Sequence, residues 1–171
     1  YVSGGLGDDV FSAGDDFLTG GEGSDTFLIS LDRIVDLNQL GIVDNSQPYE
    51  EGRKEGIYGY DQNRDGTLDL ATELDHAWLN VIYDFTPGTD KLGLSTYGWT
   101  GTNVPSLRSG DVSYIQGTGD LSAHTLVVIN NSQTIDRGYT DGGVAAVLLN
   151  TDANSISKEV DEITVGAKYE N

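Results

Sequence analysis

The sequence contains no cysteine and no methionine, and it has only three prolines. The absence of cysteine excludes a disulfide and a thiolate-bound zinc site. The absence of methionine leaves no initiator residue, and we therefore expect Tyr1 to be an internal residue of a longer chain. No apolar run approaches the length of about 18 residues that a membrane-spanning helix needs, so we expect no membrane span.

Basic residues are also scarce. The chain has 9 lysines and arginines against 28 aspartates and glutamates, which gives a formal net charge of -19 over 171 residues. We expect no nucleic-acid partner, because proteins meet the phosphate backbone with lysine and arginine. For the same reason the chain is poorly suited to electrostatic docking on anionic lipid.

The common catalytic motifs are missing as well. There is no zinc-protease helix motif, no nucleophile elbow and no phosphate-binding glycine loop followed by lysine. Of the two histidines, we expect His76 on a solvated helix face and His124 at the edge or cap of a strand. No carboxylate pair for glycoside chemistry stands apart from the aspartate pattern described next. We therefore predict that the chain is not an enzyme.

Aspartate and glycine are abundant, and both are concentrated in particular places. Of the 28 acidic residues 20 are aspartates, and 23 of the 171 residues are glycines, well above the usual share of about 7 %. Aspartate beside glycine is typical of tight turns and of short-armed oxygen ligands for a hard cation. The composition is therefore compatible with calcium binding, and the spacing of these residues strengthens that interpretation.

Residues 1–29 contain an internal repeat. Residues 4–12 and 20–28 are two complete nine-residue units, and residues 13–19 are the same unit without its leading pair of glycines. Three glycines in a six-residue turn allow positive φ and direct carbonyl oxygens to one point. Each turn ends on an aspartate, and the next three residues predict a brief strand whose middle side chain faces the interior. In the three units these are Asp9 with Phe11, Asp16 with Leu18, and Asp25 with Phe27.

These units resemble the calcium-binding nonapeptide G-G-x-G-x-D-x-U-x of RTX proteins. The resemblance implies a flattened, right-handed parallel β-roll with turns on alternate sides, so that the turn of Asp9 stacks on that of Asp25 around a cation. The implied ligands are Gly4, Gly5, Leu6, Gly7, Asp9, Gly14, Asp16, Gly20, Gly21, Gly23 and Asp25. Two carboxylates about 5 Å apart repel by roughly 3 kcal/mol at an effective dielectric near 20, so we expect this segment to fold only with the cation. The alternative is a flexible linker, which the recurring Phe, Leu and Phe disfavour.

Residues 30–78 do not continue the repeat, and we interpret them as an insertion. Apolar residues with the spacing of a short amphipathic helix come first; they are Leu31, Ile34, Val35, Leu37 and Leu40. A loop matching the start of an EF-hand follows. Its expected ligands are Asp61, Asn63, Asp65, Thr67, Asp69 and Glu73. Because Thr72 stands where an EF-hand has its last glutamate, three alternatives remain: a full EF-hand, a shorter D-x-N-x-D-G-x-x-D loop, and an Asx turn that binds nothing.

From residue 79 onward the pattern predicts strands, at 79–85, 111–116, 124–130, 144–150 and 162–165. Residues 84–95 resemble the D-F-x-x-G-x-D-K-I-D-L-S segment that follows the β-roll in serralysin-type proteases and alginate-epimerase R-modules. That resemblance implies that Asp84 and Asp90 close the last calcium positions of the roll. It also implies that one family aspartate is replaced here by Gly93.

Together these patterns predict a single calcium-dependent module over residues 1–171, with β-roll repeats at 1–29, the insertion at 30–78 and a C-terminal β region at 79–171. The expected fold class is all-β dominated: a parallel β-roll continuing into antiparallel, β-sandwich-like strands, with a small, mostly helical insertion that carries the EF-hand-like loop. The RTX resemblance implies Ca2+ as the cofactor and an extracellular protein exported by type I secretion machinery, folding on calcium after export. The alternative, implied by the epimerase and RTX-adhesin resemblance, is a module that binds a polysaccharide or cell surface through the insertion and residues 97–99.

Overall fold

The computed structural model describes residues 1–13, 17–30, 34–36, 79–95, 109–130 and 142–163. These residues form two sheets with very little helix. The strands are β1 (Val2–Leu6), β2 (Val10–Ala13), β3 (Phe17–Glu22), β4 (Thr26–Ser30), β5 (Val35–Asp36), β6 (Asn80–Ile82), β7 (Lys91–Ser95), β8 (Val112–Gln116), β9 (Thr125–Ile129), β10 (Gly143–Leu148) and β11 (Glu162–Ile163). The one α-helical segment among the described residues, α1 (Lys158–Asp161), is four residues long, and no helix in these ranges has the length and hydropathy to cross a membrane.

The N-terminal strands alternate between the two sheets. β1 and β3 pair in parallel in the first sheet, and β2 and β4 pair in parallel in the second. Val2 stands opposite Leu18 and Val10 stands opposite Thr26, so that one coil of the chain spans 16 residues. This length is one shortened unit of seven residues plus one complete unit of nine. The strand pairing is that of a parallel β-roll, as the repeat predicts.

A third coil is added from a distant part of the chain. β6 pairs in parallel with β3 in the first sheet, and β7 pairs in parallel with β4 in the second. β11 then pairs in parallel with β7, which gives the second sheet the order β2-β4-β7-β11. The roll is therefore built from residues on both sides of the predicted insertion.

Beyond β6 the first sheet changes from parallel to antiparallel pairing. β10 is parallel to β6 on one side and antiparallel to β9 on the other, and β8 pairs antiparallel with β9. The register shifts between Val144 and Ala146, which marks an irregularity of the β-bulge kind. Every residue of β9 and β10 is buried, so these are central strands with both faces covered.

The main apolar core lies between the two sheets. Phe11 and Phe27, from adjacent coils, stack with their ring centroids 5.0 Å apart and their planes inclined by 8°. Leu18 belongs to the same cluster, which confirms the three interior positions predicted from the repeat. A second cluster covers the other face of the first sheet, because neighbouring residues such as Val81 and Ile82 fall in different clusters.

The strand predictions for the C-terminal region are confirmed. β6, β8 and β9 lie within the predicted ranges, β10 begins one residue before its predicted start, and β11 begins at the predicted residue 162. For β6, β9 and β10 the signal was a short run of residues that are buried on both faces of the sheet.

The predicted helix over residues 31–40 is wrong where the structure describes it. Val35 and Asp36 form strand β5, which pairs antiparallel with Gly143 and Val144 of β10. β-Branched residues favour extended backbone, and β10 offers its hydrogen-bonding groups to this segment, so tertiary pairing outweighs a weak helical period. A mostly helical insertion is therefore not supported. The rest of that helix and the EF-hand-like loop lie outside the described residues.

His124 lies directly before β9 and caps the turn after β10. Its Nδ1 accepts a hydrogen bond from Asn150 N at 2.9 Å, and its side chain is 6 % exposed. Asn150 has a φ of 53°, a left-handed conformation that the histidine contact helps to hold. Burial lowers the pKa of His124, because the folded environment disfavours the charged ring.

We expect this histidine to make stability depend on pH. As the pH falls, the unfolded chain takes up a proton at a higher pH than the folded chain does. The free energy of unfolding should therefore reach its maximum above about pH 6.5, the ordinary histidine pKa. Below that it should fall by up to about 1.4 kcal/mol per pH unit, until the lower pKa of the folded state is passed. Urea unfolding in calcium-containing buffer measures this slope. His124→Asn, whose Oδ1 can accept the Asn150 amide, should remove it and His76→Gln should not; an unchanged slope in His124→Asn would contradict the assignment.

Candidate metal centre

Three turns stack on one side of the roll and form what we call the first turn row. They are residues 7–9, 23–25 and 83–90. The strands that follow these turns, β2, β4 and β7, begin in register with one another. The residue directly before each strand therefore occupies the same position in every turn, and these residues are Asp9, Asp25 and Asp90. The position that the repeat predicts for a cation ligand therefore carries an aspartate in all three turns.

The three aspartates form a ladder with the backbone amides of neighbouring turns. Asp9 N donates to Asp25 Oδ1 at 2.9 Å, and Asp25 N donates to Asp90 Oδ1 at 3.0 Å. The other oxygen of Asp90 accepts from Thr86 N, within its own turn, at 2.8 Å. Asp25 and Asp90 are 1 % and 4 % exposed. The carboxylates of Asp25 and Asp90 thus each hold their turn on the turn before it, through charge-assisted hydrogen bonds.

The first glycine of each complete unit makes room for the carboxylate of that unit. A Cβ at Gly20 would lie 2.2 Å from Asp25 Oδ2, and a Cβ at Gly4 would lie 2.3 Å from Asp9 Oδ2. Real Cβ atoms essentially never approach other heavy atoms within 3.0 Å. Any side chain at these positions would therefore displace the ladder carboxylate from its place.

The later glycines of the second unit allow adjacent turns to approach closely. Gly21 and Gly23 have φ values of 103° and 147°, a region that L-residues rarely adopt. A Cβ at Gly21 would lie 2.1 Å from Gly5 O, and a Cβ at Gly23 would lie 2.2 Å from Gly7 O. The carbonyl oxygens of Gly5, near the end of β1, and of Gly7, in the first turn, therefore lie directly against the backbone of the next coil, where a side chain would collide with them.

The third turn is built differently. Tyr83 N donates to Leu18 O, so Asp84 stands where Gly20 stands in the preceding coil. Its two carboxylate oxygens accept from Gly20 N and Gly21 N, both at 2.9 Å. Asp84 therefore caps the amides of the second glycine turn, and Asp90 is the third member of the ladder. Their predicted role as calcium ligands stays a prediction.

The first turn row concentrates negative charge. Burial raises the pKa of the Asp90 carboxyl; hydrogen bonds from the amides of Asp25 and Thr86 oppose this rise, and the nearby carboxylates of Asp25 and Asp84 add to it. Asp9 Oδ2 is buried and has no hydrogen-bond partner among the described residues. An uncompensated buried carboxylate oxygen is costly, and a cation is the simplest group that would compensate it.

These features fit a hard cation with oxygen ligands. The described residues contain no group of three or more Asp, Glu, His or Cys side chains that could hold a metal by themselves. A cation in the first turn row would therefore take much of its coordination from backbone carbonyls, beside a carboxylate oxygen such as Asp9 Oδ2. Calcium accepts this mixture, because it takes about six to eight carbonyl, carboxylate or water oxygens in flexible geometry.

Two further aspartates support the first turn row, and the sequence analysis missed both. Asp8 Oδ1 accepts a hydrogen bond from Ser24 N at 2.8 Å. Asp161, which is 1 % exposed, accepts from Gly88 N at 2.6 Å and from Ser157 N at 2.7 Å. Asp8 lies at a variable position of the repeat, beside the predicted ligand. Asp161 had no signal in the sequence, since 73 residues separate it from Gly88.

Part of the predicted ligand set lies outside the described residues. It comprises Gly14, Asp16, Asp61, Asn63, Asp65, Thr67, Asp69 and Glu73. The aromatic segment at residues 97–99, proposed above for polysaccharide contact, is also outside them. Leu6 and the glycines of the two complete units lie in or beside the first turn row, and their carbonyls stay predicted ligands.

No protein-family model matches the chain, and no curated protein matches it. Among solved structures, the chain is similar to the solution structure of the AlgE6R3 subunit from the Azotobacter vinelandii mannuronan C5-epimerase. The two are 18 % identical, the TM-score is 0.44, and the match covers 99 % of this chain and 70 % of that one. A similarity this distant carries no functional conclusion, and the β-roll architecture rests on the strand pairing described above.

The close stacking of the turns predicts that two glycines with similar backbone will differ in their tolerance of alanine. Gly21→Ala meets both positive φ and the Gly5 carbonyl, whereas Gly88→Ala meets a φ of 83° with no atom within 4 Å of the new Cβ. We expect Gly88→Ala to cost about 1 kcal/mol of backbone strain and Gly21→Ala to cost at least about 3 kcal/mol. Urea unfolding in calcium-containing buffer measures both; equal losses would show that the turns are not in close contact.

Proposed function

We propose that this chain is a calcium-binding module of the RTX type that folds when calcium binds in the first turn row. The observation that carries the proposal is the ladder of Asp9, Asp25 and Asp90, with the unpartnered Oδ2 of Asp9 at its end. Three acidic side chains are stacked at one position of a narrow coil, and the described hydrogen bonds to them come from backbone amides. These hydrogen bonds do not remove the repulsion between the carboxylates, and calcium between successive turns offsets it.

The energy available from calcium is large enough to control folding. Three sites, each at about 100 times the dissociation constant, contribute roughly 8 kcal/mol, which is comparable to the whole stability of a domain. At low calcium, the net charge of -19 opposes compaction. At millimolar calcium, the turns are neutralised and the folded state is favoured.

This dependence suits a segment that crosses a membrane unfolded and folds outside the cell. We therefore infer an extracellular protein exported by type I secretion machinery. The lack of cysteine supports the inference, because no disulfide can fix the chain before export. Binding to a polysaccharide or cell surface stays a separate prediction, since the residues that suggested it lie outside the described ranges.

Removal of calcium should unfold the roll. We expect a β-rich circular dichroism spectrum at millimolar calcium and a spectrum of an unfolded chain in excess EGTA, recovered when calcium is restored. Magnesium at the same concentration is the control, because it binds poorly to carbonyl-rich, irregular sites. A chain that keeps its β-rich spectrum after exhaustive demetallation would falsify the proposed function.

Asp25→Asn tests the ladder directly. The variant keeps an Oδ1 that can accept the Asp9 amide, but it removes one charge from the middle of the row. We expect the calcium concentration at half-folding to rise by about tenfold, equivalent to about 1.4 kcal/mol. Asp152→Asn makes the same change at the N-cap of the turn Ala153–Ser155, where asparagine caps as well as aspartate, and should leave this midpoint unchanged. Equal midpoints for the two variants would place calcium elsewhere.

A further inference from the structure

The two sides of the third turn, residues 83–90, are held by different groups. On one side lies the second turn: Asp25 N donates to Asp90 Oδ1 at 3.0 Å, and Ser24 Oγ donates to Thr89 O at 2.5 Å. On the other side the second sheet continues from β7 to β11, and no further glycine turn follows there among the described residues. Another group must therefore hold the third turn on this side.

Asp161, the residue directly before β11, is that group. Its side chain is 1 % exposed, and its two oxygens are used by two different parts of the chain. Oδ1 accepts from Gly88 N, in the third turn, and Oδ2 accepts from Ser157 N, at the start of α1. One buried carboxylate thus joins the third turn to residues Ser157–Ile163, which we call the α1–β11 segment.

The contact with Gly88 bears directly on the position of Asp90. The backbone amides of Thr89 and Asp90 both donate to Thr86 O, and Thr86 N donates to Asp90 Oδ2, so residues 86 and 90 close a tight loop. Gly88 lies in the middle of this loop with a φ of 83°, and no atom lies within 4 Å of the place where its Cβ would stand. An acceptor for the Gly88 amide therefore fixes the loop that presents Asp90 to the ladder.

The α1–β11 segment has few other contacts that hold it in place. β11 contributes two residues to the second sheet. Lys158 Nζ donates to Val112 O, and Tyr114 OH donates to Glu162 Oε2 at 3.3 Å, a long hydrogen bond. A short peripheral segment with so few contacts opens locally at a lower free energy than the central strands do. Its docking is therefore sensitive to the state of the third turn.

We propose that Asp161 is a positioning residue, which couples docking of the α1–β11 segment to calcium binding at the third turn. The inference rests on the proposed calcium-dependent function. Because both oxygens of Asp161 accept backbone amides, its role is to order the loop around Gly88, and a loop that is already ordered binds calcium at a lower entropic cost. Coupling between two equilibria is reciprocal, so calcium at the third turn stabilises the docked segment by the same factor.

Amide hydrogen exchange of the whole chain, measured at several calcium concentrations above the folding midpoint, tests the coupling. If opening of the α1–β11 segment releases one calcium ion, the protection of its amides rises about tenfold for each tenfold rise in calcium. The amides of Leu121 and Ser122 are the control, because they belong to a turn outside the first turn row and should show no such slope. Protection of the segment that is independent of calcium would overturn the coupling.

Variants of two acidic residues of α1 separate the contact from the charge. Asp161→Ala removes both hydrogen bonds; we expect the slope to vanish and the calcium concentration at half-folding to rise by about tenfold. Glu159→Gln removes a charge of the same sign from the exposed face of the same helix and should change neither quantity. A merely structural contact would lower the protection equally at every calcium concentration, so Asp161→Ala with the wild-type slope contradicts a positioning role.

The outcomes distinguish this inference from the proposed function. A wild-type chain whose folding does not depend on calcium overturns both. A wild-type chain that folds on calcium, with no slope in the α1–β11 segment, overturns only the coupling, as do equal changes in Asp161→Ala and Glu159→Gln. Should Asp161→Ala fail to fold, Asp161→Asn decides, because it keeps one acceptor oxygen for two amides; a slope as steep as that of wild type would then contradict the inference.

Discussion

Carboxylates at the same position of a 16-residue coil must stack on one another, because parallel pairing brings equivalent residues of successive coils into register. This constraint gives the molecule its most costly feature, a column of acidic side chains that are largely withdrawn from water. Backbone amides of the preceding turn offset part of the cost, as the contacts of Asp25 and Asp90 show. Asp9 has no such contact on Oδ2, and the charge of the whole column remains. Under the proposed function, calcium binding would remove both the unpartnered oxygen and the excess charge at once.

The glycines of the repeat follow from the same column, and they do more than supply flexible backbone. Gly20 is required because the carboxylate of Asp25 occupies the volume that a side chain would fill. Gly21 is required because the turns approach until a carbonyl oxygen of one lies against the backbone of the next. The third turn also packs closely on the second, although it lacks the glycine pair, because the Asp84 carboxylate accepts hydrogen bonds from the amides of Gly20 and Gly21. The repeat motif and the later segment are thus two solutions to one packing problem.

What the sequence could predict depends on how local each cause is. The coil length, the interior Phe11 and Phe27 and the position of the ladder all follow from spacing within a few residues, and the structure confirms the interior positions. Strand β5 could not be predicted, because its conformation is set by pairing with β10, more than a hundred residues later. Asp161 is similar: its carboxylate closes the third turn through Gly88, a contact that only the folded chain creates.

The third coil of the roll follows the second only after a long stretch of sequence, so its addition has an entropic cost. Asp9 and Asp25 are 16 residues apart, whereas Asp25 and Asp90 are 65 residues apart. The entropy of closing a loop grows only with the logarithm of its length, so the longer closure costs about 1.2 kcal/mol more than the shorter one. If calcium binds as proposed, an ion at about 100 times its dissociation constant contributes roughly 2.7 kcal/mol, and burial of Leu92 and Ile82 adds to this. A long insertion between coils is therefore compatible with the roll, provided that the coil after it brings its own aspartate to the column, as Asp90 does.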